Sequence, residues 1–211
     1  MPDPGGVFVV GLVGRAGSGK TTVARALAAD GAAVVEADRI GHEVTDGDPL
    51  VRTALERSYG AGVYRSDGAL DRARVAARVF SDPRALAELN ALVHPRIVER
   101  IRGALAEYRA AGRPPVVVVD AALMLDWGLD RDCDAVLAVV APGPVQIARL
   151  GTARGWSEDE ARARLAAQRS NAAFEAAADA VIHNEGTREE LERAAREALA
   201  RLRAAGPRAR A

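Results

Sequence analysis

The 211 residues balance 29 lysines and arginines against 29 aspartates and glutamates, and 49% of them are hydrophobic. That composition describes a globular chain with a sizeable core, and its zero net charge disfavours a general nucleic-acid binder, which carries a basic excess. No apolar run approaches the length of a bilayer span, the start MPDPGG lacks the regions of a secretory signal, and Cys133 as sole cysteine excludes an intrachain disulfide, so the reading is of a cytoplasmic protein with no membrane partner.

The continuous apolar run Val7 to Val13 predicts a buried parallel strand. Gly14 to Thr21, Gly-Arg-Ala-Gly-Ser-Gly-Lys-Thr, follows at once and fits the phosphate-binding loop Gly-x-x-x-x-Gly-Lys-[Ser/Thr]. A helix-periodic segment, Thr22 to Ala29, leads out of it. Gly14, Gly17 and Gly19 allow the backbone N–H groups to converge on an anion, and the helix starting near Lys20 adds its positive dipole end. Lys20 offers a point charge to the β and γ phosphates, and Thr21 a hydroxyl to Mg2+. Arg15, Ala16, Ser18 and Thr22 complete the stretch expected against ATP. A Gly-rich turn without nucleotide chemistry is the alternative, and the Lys-Thr pair behind a strand argues against it. Lys20 is also the only lysine in a chain rich in arginine. Lysine is a slim point charge where arginine is a broad fork, so a cradle closing around the side chain accepts only the first.

Ala32 to Glu36 predicts a second strand, ending in Ala37-Asp38. Ligands of open α/β sheets bind beyond the carboxyl ends of strands, which places Asp38 at the same edge as the loop. Asp38 is either the N-cap of a segment starting at Arg39 or a catalytic carboxylate; spacing alone does not decide. Residues 41 to 112 read as mainly helical, with segments Pro49 to Tyr59, Asp71 to Phe80 and Pro83 to Tyr108. Leu86, Leu89, Leu92 and Val93 should share a face, Asp82-Pro83 should start the third helix, and Pro95 should bend or interrupt it. The block is too long for a simple crossover and reads as an inserted helical subdomain. His94, before Pro95, reads first as a packed structural histidine.

Val116 to Asp120 is the clearest strand, and an apolar strand ending in Asp downstream of such a loop resembles a Walker B element. Asp126 to Leu129 is a turn, Ala135 to Val140 a fourth strand, and Val145 to Arg169 a helical stretch carrying Arg149, Arg154, Arg162, Arg164 and Arg169. Those arginines suit a lid that closes over phosphates, or a solvated helix with Glu158–Arg162 and Glu160–Arg164 pairs. Ser157 with Glu160, and Thr187 with Glu190, fit capping boxes. Ala180 to Ile182 is a last strand and Thr187 to Leu202 an amphipathic helix; Ala204 to Ala211 reads as a frayed tail.

With a single lysine, the Asn/Thr-Lys-x-Asp element of a GTPase cannot coexist with the loop, and Asp120-Ala121 lacks the acidic pair of motor ATPases. A small-metabolite kinase remains. In this setting the chain resembles the dephospho-CoA kinases, from residue 8 to about 186. The resemblance is carried by Gly11 to Ala24, Glu36 to His42, Val79 to Pro83, Leu89 to Pro95, Asp120 to Leu129, Gln146 to Leu150, Ser157 to Gln168 and Ala178 to Gly186. The chain departs from the family at Ala122-Leu123-Met124, where Pro-Leu-Leu is usual, at Asp126 in place of Glu, and at Ala153, where a second lid arginine is usual and Arg154 follows one later.

The resemblance implies an α/β fold, a P-loop NTPase-type parallel sheet flanked by helices, with a helical substrate insert and a helical lid. It implies one kinase domain spanning the chain: a nucleotide core of about 1–40, 113–142 and 178–204, a CoA-binding insert of about 41–112 and a lid of about 143–177. The implied reaction is ATP-dependent phosphorylation of the ribose 3′-hydroxyl of dephospho-CoA, with Mg2+ as cofactor. Asp38, Lys20 and Arg149 are the implied catalytic residues, Asn184 joins the loop in binding ATP, Asp38, His94 and Asp120 face substrate, and Thr21 and Asp120 hold the metal. A kinase of another small hydroxyl-bearing metabolite and a non-catalytic nucleotide-binding relative are the alternatives, and the oligomeric state is left open.

Overall fold

The computed structural model describes residues 6–208; residues 1–5, part of the signal reading, and residues 209–211 of the tail lie outside it. In chain order the elements are β1 (Phe8–Val13), α1 (Lys20–Ala29), β2 (Ala33–Glu36), α2 (Ala37–Gly47), α3 (Pro49–Tyr59), α4 (Arg72–Ser81), α5 (Pro83–Ala111), β3 (Val116–Asp120), β4 (Ala135–Val140), α6 (Gly143–Arg154), α7 (Glu158–Ala166), α8 (Asn171–Ala177), β5 (Ala180–His183) and α9 (Arg188–Ala205). The chain divides into two compact units, Glu36–Ala104 and the residues on either side of it.

The flanking unit holds a five-stranded sheet of order β2-β3-β1-β4-β5, with parallel ladders between β1 and β3, β1 and β4, and β4 and β5. Val9, Val10, Leu12 and Val13 of β1 are all fully buried, as expected of a parallel strand covered on both faces. On one face Val10, Leu12, Val118, Leu137 and Val139 pack with Val23 and Leu27 of α1 and with Leu191, Ala195, Ala198 and Leu202 of α9. The chain leaves β1 between neighbours on both sides, which opens a crevice beyond its carboxyl end. The phosphate-binding loop fills that position.

Two aspartates extend the ladders. The N–H of Asp134 donates to the Val9 carbonyl (2.8 Å), and its carboxylate accepts from the Val9 N–H (2.8 Å). Asp179 repeats the device on Val136, donating to its carbonyl at 2.8 Å and accepting from its N–H at 2.7 Å. Each closes a backbone pair that the strand alone leaves open at its start.

The second unit is helical. Val44, Val51, Leu55, Val63, Leu70, Val75, Val93, Ile97 and Ile101 are buried. Asp48 caps α3 by accepting from the N–H groups of Leu50 and Val51, with Pro49 in the first turn, and Asp71 caps α4. Among the described residues no helix is long and apolar enough to cross a membrane.

Local details sharpen or revise these expectations. Pro95 does not interrupt α5, which runs unbroken through it. One proline removes one ladder bond, while the buried stripe Val93, Ile97, Ile101 and Leu105 continues across it. Leu86 is 43% exposed rather than on that stripe. Within the helical Val145 to Arg169 stretch, Gly155 ends α6 in a left-handed conformation (φ 67°), and the Ser157–Glu160 capping box starts α7 afresh. The tail is not frayed through Arg208: α9 reaches Ala205, and the Arg208 N–H donates to the Asp134 carbonyl at 2.7 Å.

Candidate active site

In the loop from Gly14 to Lys20, sterics admit only glycine at two decisive positions, Gly14 and Gly19. Gly14 has φ 143°, and a Cβ there would lie 2.2 Å from the Val139 carbonyl oxygen at the end of β4. Gly19 has φ 110°, and its Cβ would lie 2.4 Å from Asn184 Nδ2. Ser18 is fully buried, its hydroxyl has no hydrogen-bond partner, and its N–H donates to the Arg15 carbonyl (3.2 Å). Lys20 Nζ donates to the Gly14 carbonyl at 2.8 Å and the Arg15 carbonyl at 3.3 Å, which holds the ammonium across the loop. Thr21 stands exposed in the first turn of α1, and half-buried Thr22 donates its N–H to the Gly19 carbonyl.

Two residues from distant segments hold the loop from outside. Arg149 of α6 donates to the Gly17 carbonyl (3.3 Å) and the Ser18 carbonyl (3.5 Å), and also to Asn184 Oδ1 (3.3 Å). Asn184, just past β5 and 4% exposed, donates from Nδ2 to the Ser18 carbonyl at 2.7 Å. Arg149 was expected as a catalytic residue and Asn184 against ATP; both side chains lie on the loop's carbonyls.

The segment after α6 also meets the loop. The Ala16 N–H donates to Gln168 Oε1 at 2.9 Å, and the Arg15 guanidinium donates to the Leu165 carbonyl. Leu150, Ala161 and Leu165 form a small core against which Ala16, Ile147 and Trp156 pack. Of the arginines in this segment, Arg169 pairs with Asp126 at 2.7 Å, while Arg154 and Arg164 lie 5.8 and 5.4 Å from the centre of the Trp156 ring. Gln168 was missed as a loop contact because its partner is a backbone amide, which no side-chain pattern marks.

Asp120 ends β3, half-buried and in register with Leu12, two residues before Gly14. Among the described residues no three His, Cys, Asp or Glu side chains are grouped to hold a metal ion. A hydroxyl at Thr21 and one carboxylate at Asp120 are a hard-oxygen donor set for an ion that keeps waters and phosphate oxygens as its remaining ligands, which fits Mg2+ and not an all-protein cage.

In the second unit, Asp38 lies in the first turn of α2. It is not the N-cap: the helix already begins at Ala37, Glu36 precedes it, and no side chain caps the end. The Asp38 carboxylate is exposed and makes no hydrogen bond or ion pair among the described residues. His94, on α5, is half-buried, and burial pushes its imidazole pKa below the ordinary value.

The family model "CoaE: Dephospho-CoA kinase" matches residues 8–190. The chain is 42% identical over 183 residues to the dephospho-CoA kinase of Thermobifida fusca (strain YX), covering 87% of this chain and 90% of that one. In structure it resembles TT1252 from Thermus thermophilus, with a TM-score of 0.77, 31% identity and coverage of 93% and 98%. It shares its fold with the dephospho-CoA kinase from Campylobacter jejuni, with a TM-score of 0.64, 19% identity and coverage of 92% and 96%.

Proposed function

The chain belongs to the dephospho-CoA kinase family, and from that membership we propose that it transfers the γ-phosphoryl group of ATP to the ribose 3′-hydroxyl of dephospho-CoA, completing coenzyme A. The observation that carries the reading is Asp38. A carboxylate held at a helix start, exposed and without a partner among the described residues, is available to a substrate hydroxyl. In this role it orients the 3′-hydroxyl and accepts its proton as the oxygen attacks phosphorus.

Phosphoryl transfer leaves little covalent work to the protein, so positioning and charge neutralisation dominate. Loop amides other than those of Ala16, Ser18 and Thr22, which already donate within the protein, receive the phosphates, and Lys20 exchanges its loop carbonyls for phosphate oxygens. Thr21 and Asp120 would hold Mg2+, which supplies positive charge to the phosphates when bound. Residues 41–112, with His94, serve the CoA side, and 143–177 serve as lid, Arg149 supporting the loop from below. The small-molecule partners are ATP and dephospho-CoA, and the setting is cytoplasmic.

The test is ADP formation by the purified protein with ATP, Mg2+ and either dephospho-CoA, adenosine or shikimate. Turnover is expected with dephospho-CoA alone. Turnover of either decoy, with none on dephospho-CoA, would sink the proposal.

A further inference from the structure

We propose that Asn184 is a positioning residue that sets the direction of one phosphate-binding amide, Gly19 N–H, by holding the carbonyl on the other side of the same peptide. The inference rests on the reading that the loop receives the triphosphate of ATP.

The argument is geometric. A peptide group is planar and trans, so its C=O and N–H point in opposite directions. Anchoring the Ser18 carbonyl therefore fixes the Gly19 N–H on the opposite side. This peptide needs an anchor more than its neighbours do, because Gly19 has no Cβ to restrict rotation about it. Asn184 Nδ2 provides one at 2.7 Å. The amide of Asn184 is itself oriented, since its Oδ1 accepts from Arg149 Nη2 (3.3 Å) and its backbone N–H donates to the Val140 carbonyl (2.8 Å) at the end of β4. The close fit is reciprocal: any Cβ on Gly19 would collide with Asn184 Nδ2 at 2.4 Å. The sheet thus reaches the loop through one buried side chain, 4% exposed, whose amide is engaged by the loop carbonyl on one side and by Arg149 on the other.

Asn184→Asp keeps the shape, keeps an acceptor for Arg149 and replaces the donor facing Ser18 by an oxygen. Asn184→Ala removes the short anchor without adding charge and leaves only the longer Arg149 contact (3.5 Å) on that carbonyl. Affinities for ATP, GTP and inorganic tripolyphosphate are measured by calorimetry in wild type and both variants, with thermal unfolding alongside. A positioning role predicts that all three ligands weaken by the same factor, roughly tenfold to a hundredfold for loss of one buried hydrogen bond, with the ATP-to-GTP ratio unchanged. A changed ratio with tripolyphosphate affinity intact would make Asn184 a base contact and overturn the proposal. A lowered melting temperature with all affinities retained would make it merely structural and overturn it too. Should the Asp variant not fold, the Ala variant decides by the same readouts. Failure of wild type to bind ATP or tripolyphosphate would instead strike the functional reading beneath it.

Discussion

Replacing the Asp38 carboxylate by an amide changes a single group in the first turn of α2 and leaves its fit in the helix intact. If that group accepts the substrate proton, Asp38→Asn should lower kcat by about 10²- to 10⁴-fold while the affinity for ATP, measured separately, stays at the wild-type value. Full activity in the variant would reduce Asp38 to a favourable charge at a helix start. His94 is a different case, a residue whose charge state belongs to folding. Its pKa is lowered by burial in the native protein, so the unfolded chain binds the proton more readily. The stability it contributes is fully present above the ordinary histidine value and is lost as pH falls through the lowered one. Denaturant midpoints compared between pH 7.5 and pH 5.5 should therefore fall less in His94→Gln than in wild type. Equal falls would place the acid sensitivity elsewhere.

At the scale of elements, β4 and β5 begin alike, with Asp134-Ala135-Val136 and Asp179-Ala180-Val181. The repetition has a cause: each aspartate closes a backbone pair on the adjacent strand with its N–H and its carboxylate. Asp134 is 7% exposed, so Asp134→Ala leaves the Val9 N–H buried and unpaired. It should cost about 1.5–3 kcal/mol, the range for a hydrogen bond to a charged group, read as a lower urea midpoint with an unchanged slope. A cost near zero would show that water replaces the carboxylate. The helices beyond β4 show the converse, where a run of helix-forming residues is cut by one left-handed glycine and one capping box.

For the whole molecule, what could be read in advance was what depends on neighbours in sequence. The strands Val116–Asp120 and Ala135–Val140, the helix Pro49–Tyr59 and both capping boxes fall where apolar period and cap chemistry put them. The loop was legible because its anion-binding geometry is built from consecutive residues. Its supports were not. Asn184 reaches Ser18 across 166 positions and Gln168 reaches Ala16 across 152, and in both cases one partner is a backbone atom that leaves no trace in composition. That α5 continues through Pro95 was hidden for a related reason, since the buried stripe that carries it past the proline is decided by packing rather than by local propensity.

The scarcity of lysine makes this protein chemically addressable at one point. Apart from the α-amino group, the whole chain offers a single primary amine, Lys20, held by two carbonyls of the loop it serves. Reductive methylation with isotopically labelled formaldehyde should yield one side-chain methyl signal, and no lysine need be mutated to obtain it. ATP should shift that signal in the labelled protein and slow the labelling of the unlabelled one, both saturating at the concentration that saturates binding. A signal indifferent to ATP would remove the ammonium from the phosphates. The sequence that excludes so many functions thus carries its own spectroscopic reporter at the place where the reaction is expected.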